Sequence, residues 1–453
     1  MEALAIFSHI ITGAGLLSIF RIQRHLVAFI ALAFLLGIGL ASFVPFFLDL
    51  VYIKINRVAI LSSLVILAIF GSISCILNKD ILAELFKIDK LKIKLYEIPF
   101  FLITAYFMYI SIWKCYFYPN IPFDTIVGPE LIAKATFYEE TLQNSVYTDF
   151  LTKTYPLSNQ PYYAPFIMLM QVIYLCLGSL FGKIWLSGMV LAFFLYFYFE
   201  LRHYIHPILA GWLLTFLWFM PELYSYTYLV QTDFPNAIFL FIAFTCLYRY
   251  YLDEKLNQAD FWLSSIFFAF ACWTRTETIL FLPVVLLFFH RQQFIQKAVA
   301  YSFLPMILFM TWDYFFLGHI VPKAVPLGKI HLDFSNYFSR GWAIFIGTHK
   351  IMFDIAYWGY SFILFFILLL LNISFYRTRT EFLKLSWVMG MHIIFMLLVL
   401  HVEGANIPFT FRRGFFKIIF LTLFYAGTSQ LIINCSRWFE RVVGIGSITD
   451  NKS

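Results

Sequence analysis

Residues 362–371 read FILFFILLLL, an unbroken apolar run. They do not alternate with polar residues, as each strand of a transmembrane barrel does over about ten residues. Lipid accepts only helices and closed barrels, because every backbone polar group must be satisfied within the structure. The run is therefore read as the centre of a membrane-spanning helix over 351–373.

The same reading extends along the chain. A span needs about 20 mostly apolar residues. Such stretches lie at 4–20, 26–50, 58–77, 98–118, 184–200, 207–224, 234–250, 261–275, 278–290, 298–317, 351–373, 384–402 and 415–435. The expected fold is an all-α polytopic transmembrane protein with about thirteen spans. Composition explains why. Of the 453 residues, 62% are hydrophobic, 21% aromatic and only 13% charged. A soluble domain carries about 25% charged residues, so this chain cannot clothe a water-facing surface. A cytosolic globular enzyme and a disordered protein are excluded. So is a nucleic-acid binder: the net charge of +7 comes from basic residues scattered between apolar segments and not gathered on one face. The six cysteines lie in or beside apolar stretches with no CxxC pair and read as small hydrophobes, not as a disulfide framework or metal site. The N-terminal stretch carries its first basic residues, Arg21 and Arg24, after the apolar run, the reverse of a signal peptide.

Basic loops mark the cytoplasmic side. Arg21 and Arg24, the lysines of 79–97, and Arg377, Arg379 and Lys384 set that side. Alternation then puts the N-terminus outside and the C-terminus inside. To keep Arg202 and His203 inside, 163–181 is read as a helix at the outer interface or re-entering the membrane. Two long segments fall outside, 119–183 and 318–350. The first is expected to carry an amphipathic helix from Glu130 to Leu142, with Lys134 on it.

Candidate chemistry lies on the outer side. Asp124 follows Pro119 and Pro122. It reads either as a general base for an acceptor hydroxyl or as a solvated loop aspartate. Asp233 precedes Phe234-Pro235 and reads either as a helix N-cap or as a pocket residue. Arg275 and Glu277 stand in a hairpin with almost no loop, where charges face a cavity or each other. Arg412 and Arg413 break the positive-inside pattern and call for an anionic partner. Guanidinium forks suit phosphate, while snorkelling to headgroups is the alternative, and it is the fairer one for Lys417. Asp313 and Asp354 read as interhelical polar contacts or pocket wall. The histidines show no metal-ligand spacing, and neither a Walker loop nor GxGxxG occurs, so no metal or cofactor is expected.

In this order the features resemble the GT-C superfamily of membrane glycosyltransferases, which includes protein O-mannosyltransferases and lipid A aminoarabinose transferases. A long outer loop opens on an acid, Asp124, and continues into a helix with Ala133-Lys134. A stretch similar to the family's YPPL type follows at Tyr162-Tyr163-Ala164-Pro165-Phe166. Asp233-Phe234-Pro235 then gives an outer Asp-x-Pro, and Arg275-Thr276-Glu277 an Arg-x-Glu before the span holding Pro283. Phe411-Arg412-Arg413 stands before the last span. Four spans precede the loop here where the family usually has one, and Ala164 replaces the second Pro.

The resemblance implies a division into extra N-terminal helices (1–97), a GT-C-like catalytic module (98–440) and a cytoplasmic tail (441–453). It implies a sugar donor on a polyprenyl phosphate and a glycan, lipid or protein acceptor on the outer side. The expected setting is a bacterial inner membrane with an outward-facing site, with an endoplasmic reticulum placement as the alternative. Asp124 is the implied base of an inverting displacement. Arg412, Arg413, Arg275 and Lys329 are the implied phosphate-side cations, with Asp233, Glu277, Lys134 and Tyr163 lining the site. Two other classes fit the spans: a transporter or flippase, which places charges at mid-span near broken helices, and a polysaccharide polymerase or ligase using a pyrophosphate-linked donor.

Overall fold

Helix ends in this chain are set by proline and by buried charge as much as by hydropathy. The computed structural model describes residues 1–85, 93–154, 156–158, 161–252, 258–289, 294–320, 337–401 and 406–443. Among them every regular element is helical.

Four long helices come first: α1 (Glu2–Ile19), α2 (Leu26–Ala41, continued after a short break by Val44–Leu50), α3 (Arg57–Leu77) and α4 (Ile98–Phe117). The outer segment follows as short pieces, α5 (Phe123–Val127), α6 (Pro129–Glu139) and α7 (Phe166–Cys176). Then come α8 (Ile184–Leu201), α9 (Pro207–Trp218), α10 (Pro221–Tyr226), α11 (Asp233–Leu252) and α12 (Gln258–Thr274). The C-terminal part holds α13 (Phe294–Met310, continued by a π-helical turn at Thr311–Leu317), α14 (Ser361–Phe375), α15 (Arg379–His401), α16 (Ile407–Gly414), α17 (Phe416–Thr428) and α18 (Gln430–Val443).

Seven of these described stretches are long and apolar enough to cross a membrane: Glu2–Ile19, Leu26–Leu50, Arg57–Leu77, Leu95–Phe117, Ile184–Leu201, Phe294–Ile320 and Arg379–His401. The chain is a helical membrane protein. The expected 415–435 span is bent by 48° between α17 and α18, and counting that pair gives eight. Other expected spans are cut short. The 207–224 stretch breaks between α9 and α10, because Pro221 has no N–H to continue the ladder and instead starts a new helix. Residues 278–290 form a 3-10 turn over Thr276–Phe281 and a short helix over Leu282–Leu286. Helix α7, eleven residues long and almost wholly buried, reaches only about 16 Å, so the 163–181 stretch does not cross.

Helix α11 is buried along nearly all of its 20 residues. A helix that is apolar all round belongs inside a bundle, and α11 packs against α12 and α17. It is about 30 Å long and joins two charged ends. At its C-terminal end Arg249 donates to Glu200 at 2.6 Å. Beside them lie the Arg24–Asp260 pair, Arg202–Glu97 at 3.2 Å and Lys384–Glu381 at 2.7 Å. The loops read as cytoplasmic thus meet at one end. Asp233 stands at the other.

The N-terminal helices pack through glycine. A methyl added at Gly37 would meet the His9 carbonyl oxygen at 1.8 Å, and one at Gly13 the Ala33 carbonyl oxygen at 1.8 Å. Close backbone approach through small residues is how helices associate where lipid removes the hydrophobic drive. Gly37→Val should force α1 and α2 apart and cost at least about 1–3 kcal/mol. Thermal unfolding in detergent checks this: a midpoint equal to wild type would show that the contact carries no stability.

Candidate functional site

Asp124 is the second residue of α5, which starts after Pro122. The Thr125 hydroxyl donates to the Val230 carbonyl, which ties α5 to the approach to Asp233. Gly128 separates α5 from α6, and a Cβ there would lie 3.0 Å from the Tyr163 ring. Tyr163 therefore packs beside Asp124. The Trp312 indole N–H donates to the Tyr163 carbonyl at 3.1 Å and anchors it to the π-helical turn. Burial, reinforced by the Asp124 carboxylate, pushes the Tyr163 hydroxyl above its ordinary range. It stays protonated and able to donate.

Asp233 is the first residue of α11 and its side chain is only 2% exposed. Its carboxylate faces cations. Arg275 donates to it directly, Lys417 Nζ lies 3.9 Å away, and Arg413 Nε lies 4.0 Å away. Arg275 follows the end of α12 in extended conformation, and its Nε is 3.5 Å from Glu277 Oε2. Asn236, one turn into α11, donates to the Ala271 carbonyl at 2.7 Å and to the Thr278 hydroxyl at 2.8 Å. Those two bonds clamp the turn carrying Arg275 and Glu277 against the head of α11.

Arg412 and Arg413 sit near the C-terminal end of α16, which Asn406 caps by accepting from the Phe409 N–H at 3.0 Å. The two arginines diverge. Arg413 Nη1 donates to Asp124 Oδ2 at 3.0 Å, and its guanidinium lies 4.2 Å from the Phe409 ring centroid. Arg412 donates to Glu222 Oε1 at 2.6 Å and lies over Tyr357 at 4.9 Å.

The structure thus brings Asp124, Tyr163, Asp233, Arg275, Glu277 and Arg413 together, with Arg412 on an adjoining wall. It sets Lys134 apart: that ammonium is half-exposed and pairs with Glu130 at 2.7 Å, one turn back on α6. Lys329 lies outside the described residues. Lys417 does not snorkel to lipid headgroups. It is buried beside Asp233 because α17 turns its first residues inward. Glu222 and Asn236 were not singled out from the sequence. Glu222 had a signal, a carboxylate inside an apolar stretch, which at membrane depth demands a partner. Asp313 is buried beside Thr276 and Glu277 on the π-helical turn.

Around this site four cations (Arg275, Arg412, Arg413, Lys417) face four carboxylates (Asp124, Glu222, Asp233, Glu277) in direct or near contact. The exposed members are Glu277, Arg412, Arg275, Asp124 and Arg413, while Asp233 and Lys417 form the floor. The arrangement offers a reachable carboxylate beside guanidiniums that can turn to an anion. Among the described residues no three His, Cys, Asp or Glu side chains converge as metal ligands. Comparison with protein-family models, with curated proteins and with solved structures finds no match to the chain.

Neutralising Asp233 would leave three buried or half-buried cations facing an amide. Asp233→Asn should destabilise the protein by about 3–5 kcal/mol, the cost of stripping one partner from a buried pair. Glu277→Gln, at a side chain 41% exposed, should cost under about 1 kcal/mol. Thermal unfolding of both variants in detergent separates them, and equal midpoints would contradict the assigned difference.

Proposed function

We propose that the chain is an integral membrane glycosyltransferase of the GT-C type. It moves a sugar from a polyprenyl phosphate to an acceptor outside the membrane, with the site on the outer face of a bacterial inner membrane and about thirteen spans. The observation that carries this reading is the meeting of Asp124 with Arg413 at 3.0 Å, 289 residues apart in sequence, at the end of the bundle opposite the basic loops.

The chemistry follows from the groups present. Asp124 Oδ accepts the proton of an acceptor hydroxyl or amine. The acceptor atom bonds to the anomeric carbon from the face opposite the phosphate. The bond from that carbon to the phosphate oxygen breaks, its electron pair stays on the oxygen, and the anomeric configuration inverts. Negative charge grows on the departing lipid phosphate. Fixed cations aimed at developing charge lower such a barrier most, and Arg413, Arg275 and Lys417 stand there. A guanidinium binds phosphate through paired N–H donors. Tyr163, held as a neutral hydroxyl, donates a hydrogen bond to the sugar or the acceptor. Arg412, engaged by Glu222, shapes the wall.

A direct assay uses right-side-out vesicles, a polyprenyl-phosphate-linked sugar and a mixed envelope extract as acceptor. Wild type should transfer the sugar. Asp124→Asn should lower the rate about 10²–10⁴-fold, the usual size of a general-base contribution, with an unfolding midpoint near wild type. Undiminished transfer by the folded variant would remove Asp124 from the role of base.

A further inference from the structure

We infer that Asp124 and the donor phosphate compete for one guanidinium, so that the base is freed only when the donor is seated. This deepens the glycosyltransferase reading and rests on it. The site holds no idle cation among its described members: each of the four contacts or closely faces a carboxylate. A phosphate that takes Arg413 Nη1 displaces Asp124 from it, and the geometry favours that exchange.

Arg413 is divided between two acids. Its Nη1 donates to Asp124 Oδ2 at 3.0 Å and its Nε faces Asp233 at 4.0 Å. Asp124 is 25% exposed and Arg413 19%, whereas Asp233 is 2% exposed. The outer contact is open to an anion and the inner one is not. Asp233 also keeps Arg275 and Lys417, so it stays compensated whichever way the outer half of Arg413 turns. When a phosphate takes Nη1, the guanidinium remains held by Asp233 and by the Phe409 ring, and Asp124 loses its partner. In the empty molecule Asp124 Oδ2 is occupied by the Arg413 N–H. With the donor on that guanidinium, the carboxylate oxygen is free to face the acceptor and take its proton. Asp233 is thereby the positioning residue of the exchange. The consequence is an ordered reaction, donor before acceptor, in which no acceptor or water is activated at an empty site.

The test uses the full-length protein in detergent and polyprenyl phosphate without sugar, measured by equilibrium binding. Removing the competitor should strengthen binding. Asp124→Asn should bind polyprenyl phosphate about 10-fold or more tighter than wild type, the scale of one charge-assisted hydrogen bond, although the same variant is expected to lose transfer. In an Arg413→Gln background the substitution should give no gain, or binding should be lost altogether. Equal or weaker binding by Asp124→Asn overturns the competition, and so does a gain that persists without Arg413, since that would be mere removal of negative charge. If the Asn variant does not fold, Asp124→Ser makes the same comparison. A wild type that does not bind polyprenyl phosphate rejects the proposed function itself, whereas binding without the gain rejects only the competition.

Discussion

At the head of α11 a carboxylate is taken almost wholly out of water, and three cations converge on it from two other places in the chain. Arg275 arrives from the end of α12, and Arg413 and Lys417 from the junction of α16 and α17. A buried charge without partners is among the most costly things a fold can contain, and at membrane depth the cost rises. Asp233 therefore fixes where three helix ends lie relative to one another. Asn236 completes the joint by binding the backbone and side chain of the α12 turn. Everything the site offers, including the Asp124–Arg413 contact, is built outward from that joint.

The bundle separates its charges into two layers about 24 Å apart along α11, at Asp233 and at Arg249. The lower layer, Arg249–Glu200, Arg24–Asp260, Arg202–Glu97 and, within α15, Lys384–Glu381, is largely buried. The upper layer is partly open. Several of its members keep exposed faces. A layer of closed pairs holds helices together, whereas a layer of half-open pairs can exchange partners with a ligand. The proposed transfer uses that difference.

Much of this was legible because charges are rare in so apolar a chain and each must find a partner. The four N-terminal helices lie where the apolar runs put them, and Asp124, Asp233, Arg275, Glu277 and Arg413 were each picked out for being charged at the outer ends of apolar segments. Their partners were not legible. Arg412 and Arg413 are neighbours in sequence, yet one helical step of rotation sends one to Glu222 and the other to Asp124. Lys417 looked free to reach headgroups, and only the packing of α17 against α11 turns it inward. Lys134 was chosen through family resemblance and is occupied by a local i,i+4 pair. Hydropathy windows also join what proline divides, as at Pro221, where one expected span is two helices. Asn236 carried no signal of its own, because a lone amide in a helix does not declare its partners. Its real partners lie 35 and 42 residues away.

The most direct measurement is a double-mutant cycle on Asp124 and Arg413, using Asp124→Asn, Arg413→Gln and the double variant, with unfolding free energies in detergent. Two partly buried groups in contact should show a coupling of about 0.5–3 kcal/mol, the double variant being less destabilised than the sum of the singles. A coupling of zero, with both single variants folded, would mean that the two groups do not share a pocket, and the catalytic account built on their meeting would fall.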